Sequence, residues 1–440
     1  MARKLFGTDG VRGVAGDLLT ADLAVSLGRA ATLQAATEHP RVLVIRDTRE
    51  SGEMLEAALA AGAAGAGAEV LLGGVLPTPA APLLVRRYGF DLAAVISASH
   101  NPFADNGIKF FAADGFKLSD ATEAAIEARL DDAVAPPTDG IGRIRALHGT
   151  QEDYLRALQT RFEALDLSGR RVLLDCAHGA TYRVAPEIFR RLGAHVDVIG
   201  DAPDGRNIND GCGSTHLDAL VAGMRGGEHD VGFAFDGDGD RVLAVDGSGE
   251  IVDGDELIAL AALHLRSAGR LGGGVAVTVM TNYGFHTAMR EAGIEVAITK
   301  VGDRYVLEEL RSRGWALGGE QSGHVIDLGF CPSGDGVATA LLTLEALAGG
   351  DLARRDAMDK LPQRLVNVPV ADRDAAMESM ELAAAIEREN GALEGRGRVL
   401  VRASGTEQLV RVMVEAPGDE EADDVCGRLV ALVRETAGVA

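Results

Sequence analysis

The 440-residue chain has few cysteines and no long apolar segment. The cysteines are widely spaced and include no C-x-x-C pair; they are Cys176, Cys212, Cys331 and Cys426. Such spacing disfavours a disulfide framework or a zinc site and predicts buried thiols in a reducing compartment. No uninterrupted run of about 18 apolar residues occurs, and residues 1–10 lack the apolar core of a signal peptide. We therefore expect a cytoplasmic protein that does not bind membranes.

Basic and aromatic residues are also scarce. The 43 Lys and Arg residues are outnumbered by 66 Asp and Glu residues, which gives a formal net charge of −23. A surface of this sign repels nucleic acids and anionic membranes, so neither is an expected partner. The lysines are Lys4, Lys109, Lys117, Lys300 and Lys360. Aromatic residues make up only 4% of the chain, so the core must consist mainly of Ala, Val, Leu and Ile.

What the chain does contain is a weak internal repeat. Three β-branched runs, RVLVI (41–45), RVLLD (171–175) and GVAVTV (274–279), are typical of buried parallel strands. Each is followed by a helical stretch that closes with Gly and a second strand: GAEVLLGG (67–74), GAHVDVIG (193–200) and GIEVAITK (293–300). A glycine past the helix end supplies the left-handed residue that turns the chain back. The pattern predicts three similar doubly wound mixed α/β domains.

Changes in composition indicate the domain boundaries. AVAPPTDGIG (133–142) interrupts a helical pattern, and DGSGEIVDGD (246–255) is a turn-rich hinge before the apolar helix Glu256–Leu265. After LPQRLVNVPV (361–370), the pattern changes to a strand, a helix around Ala375–Asn390, a strand at Val399–Arg402 and a final amphipathic helix from Asp419. We therefore expect α/β domains at 1–150, 151–253 and 254–365, and a smaller α+β domain at 366–440.

The segment DGDGDR (236–241) carries the most specific chemistry. Asp236, Asp238 and Asp240 alternate with glycines, which allow the backbone to curl so that three carboxylates converge on one cation. It is not a calcium loop, because Arg241 and Gly247 occupy the positions of its required Gly and Glu. The segment follows a strand-like run, so it should lie at a strand's carboxyl end. A Mg²⁺ site is the favoured interpretation; an acidic turn without metal is the alternative.

A serine beside a histidine follows another strand-like run. In SASHNP (97–102), Ser99 is a candidate nucleophile and His100 its candidate base. The segment is not a G-x-S-x-G elbow, since no serine in the chain has glycine at both −2 and +2. A polar turn is the simpler interpretation of these residues alone. Lys109 lies on what the pattern predicts to be the next strand.

Three further loops contain groups that bind sugars or phosphates. In GEQSGH (319–324), Glu320 and Ser322 can accept or donate hydrogen bonds to sugar hydroxyls, and His324 can move a proton near neutral pH. RASGT (402–406) combines a guanidinium with hydroxyls and free N–H groups, as a phosphate-binding loop does. The glycines of GTDGVRG (7–13) permit a tight loop that directs Arg12 at an anion. Taken singly, GEQSGH is more simply interpreted as a solvated loop, and the other two motifs are equally compatible with structural turns.

In this order, the motifs resemble the α-D-phosphohexomutase family over essentially the whole chain. They are FGTDGVRG (6–13), SASHNPFADNGIKFF (97–111), DGDGDR (236–241), GDRYV (302–306), GEQSGH (319–324) and RASGTE (402–407). Gln321 and GDRYV are most similar to the bacterial branch that acts on glucosamine phosphates; other branches more often have Met at position 321. The segment DLGFCPS (327–333) is less typical of that branch.

The resemblance implies four domains around a central cleft and a role for each motif. Ser99 would carry an activating phosphate, and an oxygen of that phosphate would join the three aspartates around one Mg²⁺ per chain. Candidate catalytic groups are Arg12, His100, Lys109, Lys300 and His324. Candidate substrate-binding groups are Arg241, Asp303, Arg304, Glu320, Ser322, Arg402, Ser404, Gly405, Thr406 and Arg411. Whether the chain forms a homodimer is left open.

The implied reaction interconverts glucosamine 6-phosphate and glucosamine 1-phosphate through phosphoserine and a bound 1,6-bisphosphate. Glucose or mannose phosphates are alternative substrates within the family, because contacts to the 3- and 4-hydroxyls do not read the group at C2. Two other classes remain as alternatives: a metal-dependent phosphatase that uses Ser99, and a phosphosugar-binding protein without activity. All of these interpretations require Ser99 and the three aspartates to be close in space.

Overall fold

The structure is a computed structural model that describes residues 5–7, 9–35, 37, 39–131, 140–404 and 408–437. It divides into two compact units. The first contains the chain up to Val279 together with Ala297–Arg354, and the second contains Met280–Val296 together with the chain from Arg355 onwards. Within the described ranges, no helix is both long and apolar enough to cross a membrane.

The first sheet is mixed and has the strand order β1-β5-β4-β2-β3-β6. The elements of this region are β1 (Val11–Val14), α1 (Ala21–Gln34), β2 (Arg41–Arg46), α2 (Glu50–Gly65), β3 (Glu69–Val75), α3 (Ala80–Tyr88), β4 (Leu92–Ile96), β5 (Asp105–Ala112), α4 (Asp120–Glu127) and β6 (Ile144–Ala146). Strands β4, β2, β3 and β6 are parallel, and β5 is antiparallel to both of its neighbours. Its core is mainly aliphatic, with Leu27, Val42, Val44 and Leu55 among its members, as the low aromatic content predicts.

The second sheet repeats this plan with the order β11-β10-β9-β7-β8. Its elements are α5 (Thr150–Arg161), β7 (Arg171–Asp175), α6 (Val184–Arg191), β8 (His195–Ile199), α7 (Asp218–Arg225), β9 (Val231–Phe235), β10 (Val242–Asp246) and β11 (Ile251–Val252). The segment 246–255, predicted to be a hinge, instead contains the short strand β11, which pairs with β10. Asp253, directly after β11, caps the next helix, which begins at Gly254.

The third sheet is smaller and has the order β13-β12-β14-β15. The elements are α8 (Gly254–Ser267), β12 (Gly274–Thr278), α9 (Tyr283–Glu291), β13 (Glu295–Thr299), α10 (Asp303–Arg313), β14 (Leu317–Gly319), β15 (Val325–Asp327) and α11 (Gly336–Leu347), followed by a 3₁₀ turn at Leu352–Arg354. One cluster of this core contains Trp315, packed with Val306 and Leu310.

The C-terminal region forms an antiparallel sheet of order β16-β18-β17, which belongs to the second unit. Its elements are β16 (Gln363–Pro369), α12 (Arg373–Glu378), α13 (Met380–Ala392), β17 (Arg398–Ala403), β18 (Leu409–Glu415) and α14 (Asp419–Ala437). Val410, Val412 and Val414 on the sheet pack in one cluster with Leu429 and Val433 on α14. The single helix predicted around Ala375–Asn390 is instead two helices, α12 and α13.

The predicted fold class, with three α/β regions and a smaller α+β region, is confirmed. The closing glycines Gly67, Gly193 and Gly293 all have positive φ angles, of 97°, 100° and 64°. Strands β2 and β3 are parallel, as are β7 and β8. The exact domain boundaries stay a prediction, and residues 133–139 of the first proposed boundary lie outside the described residues.

Candidate active site

The two most distinctive motifs directly follow two buried strands of the first unit. Strand β4 ends at Ile96 and leads into the loop 97–102, here called the serine loop. Strand β9 ends at Phe235 and leads into the loop 236–240, here called the aspartate loop. A Cβ atom built on Gly237 would lie 2.5 Å from the carbonyl oxygen of Ser99. Only glycine therefore permits this close approach of the two loops.

Ser99 lies directly against the aspartate loop. Its hydroxyl donates a hydrogen bond to Oδ2 of Asp236, 137 positions later in the chain, and lies 3.2 Å from Nδ1 of His100. Burial, together with the nearby Arg241 and Arg12, lowers the pKa of His100 to about 4. His100 is therefore neutral at physiological pH, and one of its ring nitrogens keeps a lone pair that can accept a hydrogen bond.

The three aspartates form a compact acidic cluster. Asp236, Asp238 and Asp240 are all buried, and one carboxylate oxygen from each lies within 4.8 Å of the others. Burial and the charges of Asp240 and Asp238 raise the pKa of Asp236 well above its ordinary value. Asp238 Oδ1 and Asp240 Oδ1 have no hydrogen-bond partner among the described residues. Buried, unpartnered carboxylate oxygens at this spacing fit a small divalent cation.

Lys109 neutralises part of this charge from strand β5. Its Nζ lies 2.7 Å from Asp238 Oδ2, 3.2 Å from Asp9 Oδ2 and 3.7 Å from Asp240 Oδ2. Burial lowers the pKa of Lys109, but these three carboxylates outweigh burial and raise it well above its ordinary value. Lys109 is therefore a fixed positive charge beside Asp238 and Asp240, and its raised pKa does not favour a role as base.

A cavity of about 390 Å³ adjoins the cluster. Six predicted site residues line it, and they are Arg12, Asp240, Arg241, Asp303, Glu320 and His324. His324 Nδ1 lies 3.6 Å from Asp240 Oδ1, and its Nε2 lies 3.7 Å from Asp303 Oδ2. Burial lowers the pKa of His324, but these carboxylates outweigh burial and raise it. The cavity thus combines cationic guanidiniums, carboxylates and one imidazole.

Arg304, Lys300 and Ser322 are among the predicted site residues of the first unit that do not line this cavity. Arg304 instead forms ion pairs with Asp120 and Glu123 of α4. Lys300 is exposed, with its Nζ 5.9 Å from the centre of the Tyr305 ring. Ser322 is exposed in the turn between β14 and β15.

The basic C-terminal motif lies on β17 and β18 of the second unit. Arg402 and Arg411 are directly opposite each other across the two strands. Burial and the charge of Arg411 lower the pKa of Arg402, and two facing like charges form an arrangement that a bound anion would stabilise. Ser404 N–H donates to the carbonyl of Leu409 at 2.9 Å. The predicted residues Gly405 and Thr406 lie outside the described residues.

Sequence reasoning did not single out Asp9, Lys117 or Thr78. Asp9 accepts hydrogen bonds from Arg12 and Lys117, and Lys117 also donates to Asp303. Thr78 Oγ1 donates to Asp238 Oδ2 at 2.7 Å. The scarcity of lysine could have drawn attention to Lys117, as it did to Lys109. For Thr78 we find no sequence pattern that indicates its role.

Family models match almost all of the chain. They are described as phosphoglucomutase/phosphomannomutase alpha/beta/alpha domain I at residues 3–135, domain II at 152–249, domain III at 253–365, and the C-terminal domain at 365–432. Along the chain, the four matched domains follow the same order as the four sheets.

Similar proteins are known in sequence and in structure. The chain is 50% identical to a phosphoglucosamine mutase of Pelotomaculum thermopropionicum, over 98% of this chain and 99% of that one. A crystal structure of a phosphoglucomutase/phosphomannomutase family protein from Burkholderia thailandensis aligns with a TM-score of 0.81 and 25% identity, and covers 100% of this chain and 99% of that one. Aspergillus fumigatus N-acetylphosphoglucosamine mutase, in complex with GlcNAc-6P and magnesium, has the same fold with a TM-score of 0.69 at 19% identity; 98% of this chain and 96% of that one are covered.

Proposed function

This chain belongs to the phosphoglucomutase/phosphomannomutase family, and we propose that it interconverts glucosamine 6-phosphate and glucosamine 1-phosphate. The 50% identity to a phosphoglucosamine mutase over nearly the full length of both chains supports this substrate. The chemistry is an intramolecular phosphoryl transfer, so the reaction is an isomerisation overall.

One observation carries the proposal: the Ser99 hydroxyl is hydrogen-bonded to the first of three clustered, buried aspartates. A serine buried in an acidic cluster is a poor general nucleophile, because the carboxylates repel anionic substrates. The same serine carrying a phosphate would be a suitable phosphoryl donor if a cation held by the three aspartates offset its negative charge.

The proposed reaction has two transfers of opposite direction. In the first, the bond between Ser99 Oγ and phosphorus breaks and a bond from a substrate hydroxyl to phosphorus forms. The hydroxyl proton passes to a base, and Ser99 Oγ, the leaving group, takes up a proton, which gives glucosamine 1,6-bisphosphate. In the second, the bond from the other sugar oxygen to its phosphorus breaks and a bond from Ser99 Oγ to that phosphorus forms; Ser99 Oγ gives up its proton and the sugar oxygen takes one up. Atoms and charge balance over the cycle, and Ser99 ends phosphorylated again.

The residues around Ser99 have distinct proposed tasks. His100 Nδ1 lies 3.2 Å from Ser99 Oγ, and its lowered pKa keeps the ring neutral, so it is proposed to accept a hydrogen bond from Ser99 as an alternative to Asp236. Lys109 stays charged and offsets the acidic cluster. His324, which lines the cavity near Asp240, is our preferred group for exchanging a proton with the sugar hydroxyl. Held by Asp236, Asp238 and Asp240, a Mg²⁺ ion would offset negative charge on the transferred phosphoryl group.

Five further predicted residues are assigned to substrate binding. Arg12 and Arg241 line the cavity and can bind phosphate oxygens. Glu320 accepts the Gly302 N–H through Oε1 at 2.9 Å, which orients its carboxylate for sugar hydroxyls. Arg402 and Arg411 are proposed to bind the phosphate that is not being transferred. A cytoplasmic location also stays a prediction.

Substrate profiling tests the proposal. Enzyme phosphorylated with glucosamine 1,6-bisphosphate is assayed with Mg²⁺ and the 6-phosphates of glucosamine, glucose and mannose, and kcat/KM is compared. We expect the highest kcat/KM for glucosamine 6-phosphate, and Ser99→Ala should lose mutase turnover by at least about 1,000-fold.

The rival functions give other results in the same assay. Preference for glucose or mannose phosphate would assign the chain to another branch of the family. Steady release of inorganic phosphate without isomer would indicate a phosphatase. Retained affinity for the sugar phosphates without labelling of Ser99 would indicate a binding protein. Full turnover by Ser99→Ala would refute the phosphoserine scheme.

A further inference from the structure

The backbone of Ser99 has a conformation that its surroundings must maintain. Its φ angle is +54°, in the left-handed region that L-amino acids other than Asn and Asp seldom adopt. A residue held in this region costs about 1–3 kcal/mol, so it persists only where neighbouring groups fix it. The groups that fix Ser99 therefore also set the direction of its hydroxyl.

One of these groups is a fully buried ion pair between Asp47 and Arg49. Neither side chain is exposed to solvent, and Arg49 Nε donates to Asp47 Oδ2 at 2.9 Å. The same Asp47 oxygen accepts the hydroxyl of Ser97 at 2.5 Å, and Ser97 Oγ accepts the N–H of Ser99 at 3.0 Å. The N–H of Ser99 is thus tied to this ion pair through Ser97.

Arg49 also binds the carbonyl groups of the serine loop. Its Nη2 donates to the carbonyls of Ser99 and Asn101, both at 2.9 Å, and its Nη1 donates to the carbonyl of Pro102. A planar guanidinium can hold several acceptors at fixed angles, which a lysine ammonium cannot do. Both backbone polar groups of Ser99 therefore depend on one buried ion pair.

Asn209 binds the same carbonyls from the loop that follows β8. Its Nδ2 donates to the carbonyls of Ser99 at 2.9 Å and of Asn101 at 3.1 Å. A Cβ atom built on Gly237, next to the metal-binding candidate Asp236, would lie 2.5 Å from the Ser99 carbonyl and 2.8 Å from Asn209 Nδ2. The Ser99 carbonyl is thus a shared contact of Arg49, Asn209 and the aspartate loop.

We infer that Arg49 and Asn209 are positioning residues for phosphoryl transfer: Arg49 fixes the serine loop on its own sheet, and Asn209 fixes that loop against the aspartate loop. This inference rests on the proposed function. Neither side chain lines the cavity, so both act through the position of Ser99 rather than by contact with substrate. Alignment of donor and acceptor oxygens is a large part of catalysis when the transition state is loose.

Two substitutions test the inference. Arg49→Lys keeps the positive charge for Asp47 but cannot hold three carbonyls. Asn209→Gly removes both hydrogen bonds, and glycine accommodates the +58° φ angle of this position without strain. Asn207→Gly is the matched control, because Asn207 makes hydrogen bonds only within its own exposed loop, to Asp204 and Ala202.

A positioning role predicts a specific kinetic result. Both variants should lose about tenfold to a hundredfold in kcat for glucosamine 6-phosphate, while KM changes by less than about threefold. The rate at which glucosamine 1,6-bisphosphate phosphorylates Ser99 should fall by the same factor. Asn207→Gly should match the unsubstituted enzyme in all three quantities.

Failure of this inference can be told apart from failure of the proposed function. If the unsubstituted enzyme shows no mutase turnover, the proposed function is wrong. If it turns over and needs Ser99, but folded Asn209→Gly keeps its kcat and its phosphorylation rate, the positioning role of Asn209 is wrong. Folded Arg49→Lys that keeps both quantities would overturn the role of Arg49 in the same way. Should Arg49→Lys fail to fold, Asn209→Gly still decides whether the serine loop must be held in place, since Asn209 Nδ2 donates to the carbonyls of Ser99 and Asn101.

Discussion

Asp335 is a buried acid at the N-terminus of α11. Its Oδ1 accepts the N–H of Ala338 at 2.9 Å, and the hydroxyl of Tyr154 donates to both of its oxygens, at 2.9 and 3.1 Å. Burial raises its pKa from 3.8 to about 7, although these hydrogen bonds act in the opposite direction. Below about pH 4 the carboxyl is protonated in both folded and unfolded states, and stability is unaffected. As pH rises from 4 to 7, the unfolded state alone ionises freely, so folding loses stability.

Asp335→Asn should remove this pH dependence. Asparagine keeps the capping oxygen and an acceptor for Tyr154 but cannot ionise. The unfolding free energy of the variant minus that of the unsubstituted protein should increase by about 2–3 kcal/mol when the pH is raised from 5 to 8. Denaturant titration followed by the fluorescence of Trp315, the single tryptophan and a member of the first unit, measures this. An equal effect of the substitution at both pH values would contradict the raised pKa.

The acidic cluster makes metal binding testable without an activity assay. Mg²⁺ at 100 times its Kd should stabilise the first unit by about 2.7 kcal/mol and so raise its unfolding midpoint. Asp238→Asn should lose this response, because Asp238 Oδ1 is one of the two unpartnered carboxylate oxygens. Asp210→Asn, at an exposed acid in the same unit, is the control and should keep it. An identical Mg²⁺ response in all three proteins would place the metal elsewhere.

At single residues, the sequence predicted the chemical groups but not their partners. Ser99 and Asp236 could be recognised because each follows a buried strand and belongs to a distinctive motif. The pairing of Lys117 with Asp9 and Asp303 could not, since those partners are 108 and 186 positions away. Arg304 was expected at the substrate; its charge is instead used by two acids of α4.

Among the elements, helices α1 and α2 pack through glycine. A Cβ atom built on Gly28 would lie 2.1 Å from the carbonyl oxygen of Leu59, and one on Gly62 would lie 2.0 Å from that of Val25. No side chain fits in this space without movement of the backbone. Close contact of the two helices therefore requires glycine at both positions.

Gly62→Ala should destabilise the first unit even though alanine is the better helix former. The clash should cost about 1–3 kcal/mol, which exceeds the propensity gain of up to about 1 kcal/mol. Gly65→Ala, in the same helix, meets no atom within 4 Å. It should be neutral or stabilising. Trp315 fluorescence during denaturant unfolding measures both, and stabilisation by Gly62→Ala would show that the helices can separate at no cost.

The positions of the strands along the chain were predicted more accurately than the pairing of the strands within the sheets. The run 231–235 is β9, and the run 91–96 contains β4, because both are apolar and buried on both faces. The N-terminal motif, expected to be a loop, instead contributes β1 through pairing with β5. The helix expected around 375–390 is interrupted at Ser379, whose side chain caps the second helix by accepting the N–H of Leu382. Strand pairing of this kind depends on tertiary context more than on local periodicity.

Over the whole molecule, net charge opposes folding while local ion pairs support it. The charge of −23 is spread over a chain in which many exposed arginines pair with acids, for example Arg191 with Glu152 and Arg396 with Glu421. Each exposed pair contributes at most about 1 kcal/mol. The unpaired excess of acids repels over longer distances, because the Debye length is about 30 Å at 0.01 M salt.

Salt should therefore stabilise the protein. Raising NaCl from about 0.01 M to about 1 M shortens the Debye length to about 3 Å, which screens the long-range repulsion more completely than it weakens ion pairs at contact distance. The melting temperature should rise, measured by Trp315 fluorescence for the first unit and by circular dichroism for the whole chain. MgCl₂ at equal ionic strength should give a further increase in the unsubstituted protein but not in Asp238→Asn, which separates screening from specific binding. A melting temperature that falls with NaCl would mean that the surface ion pairs outweigh the net charge.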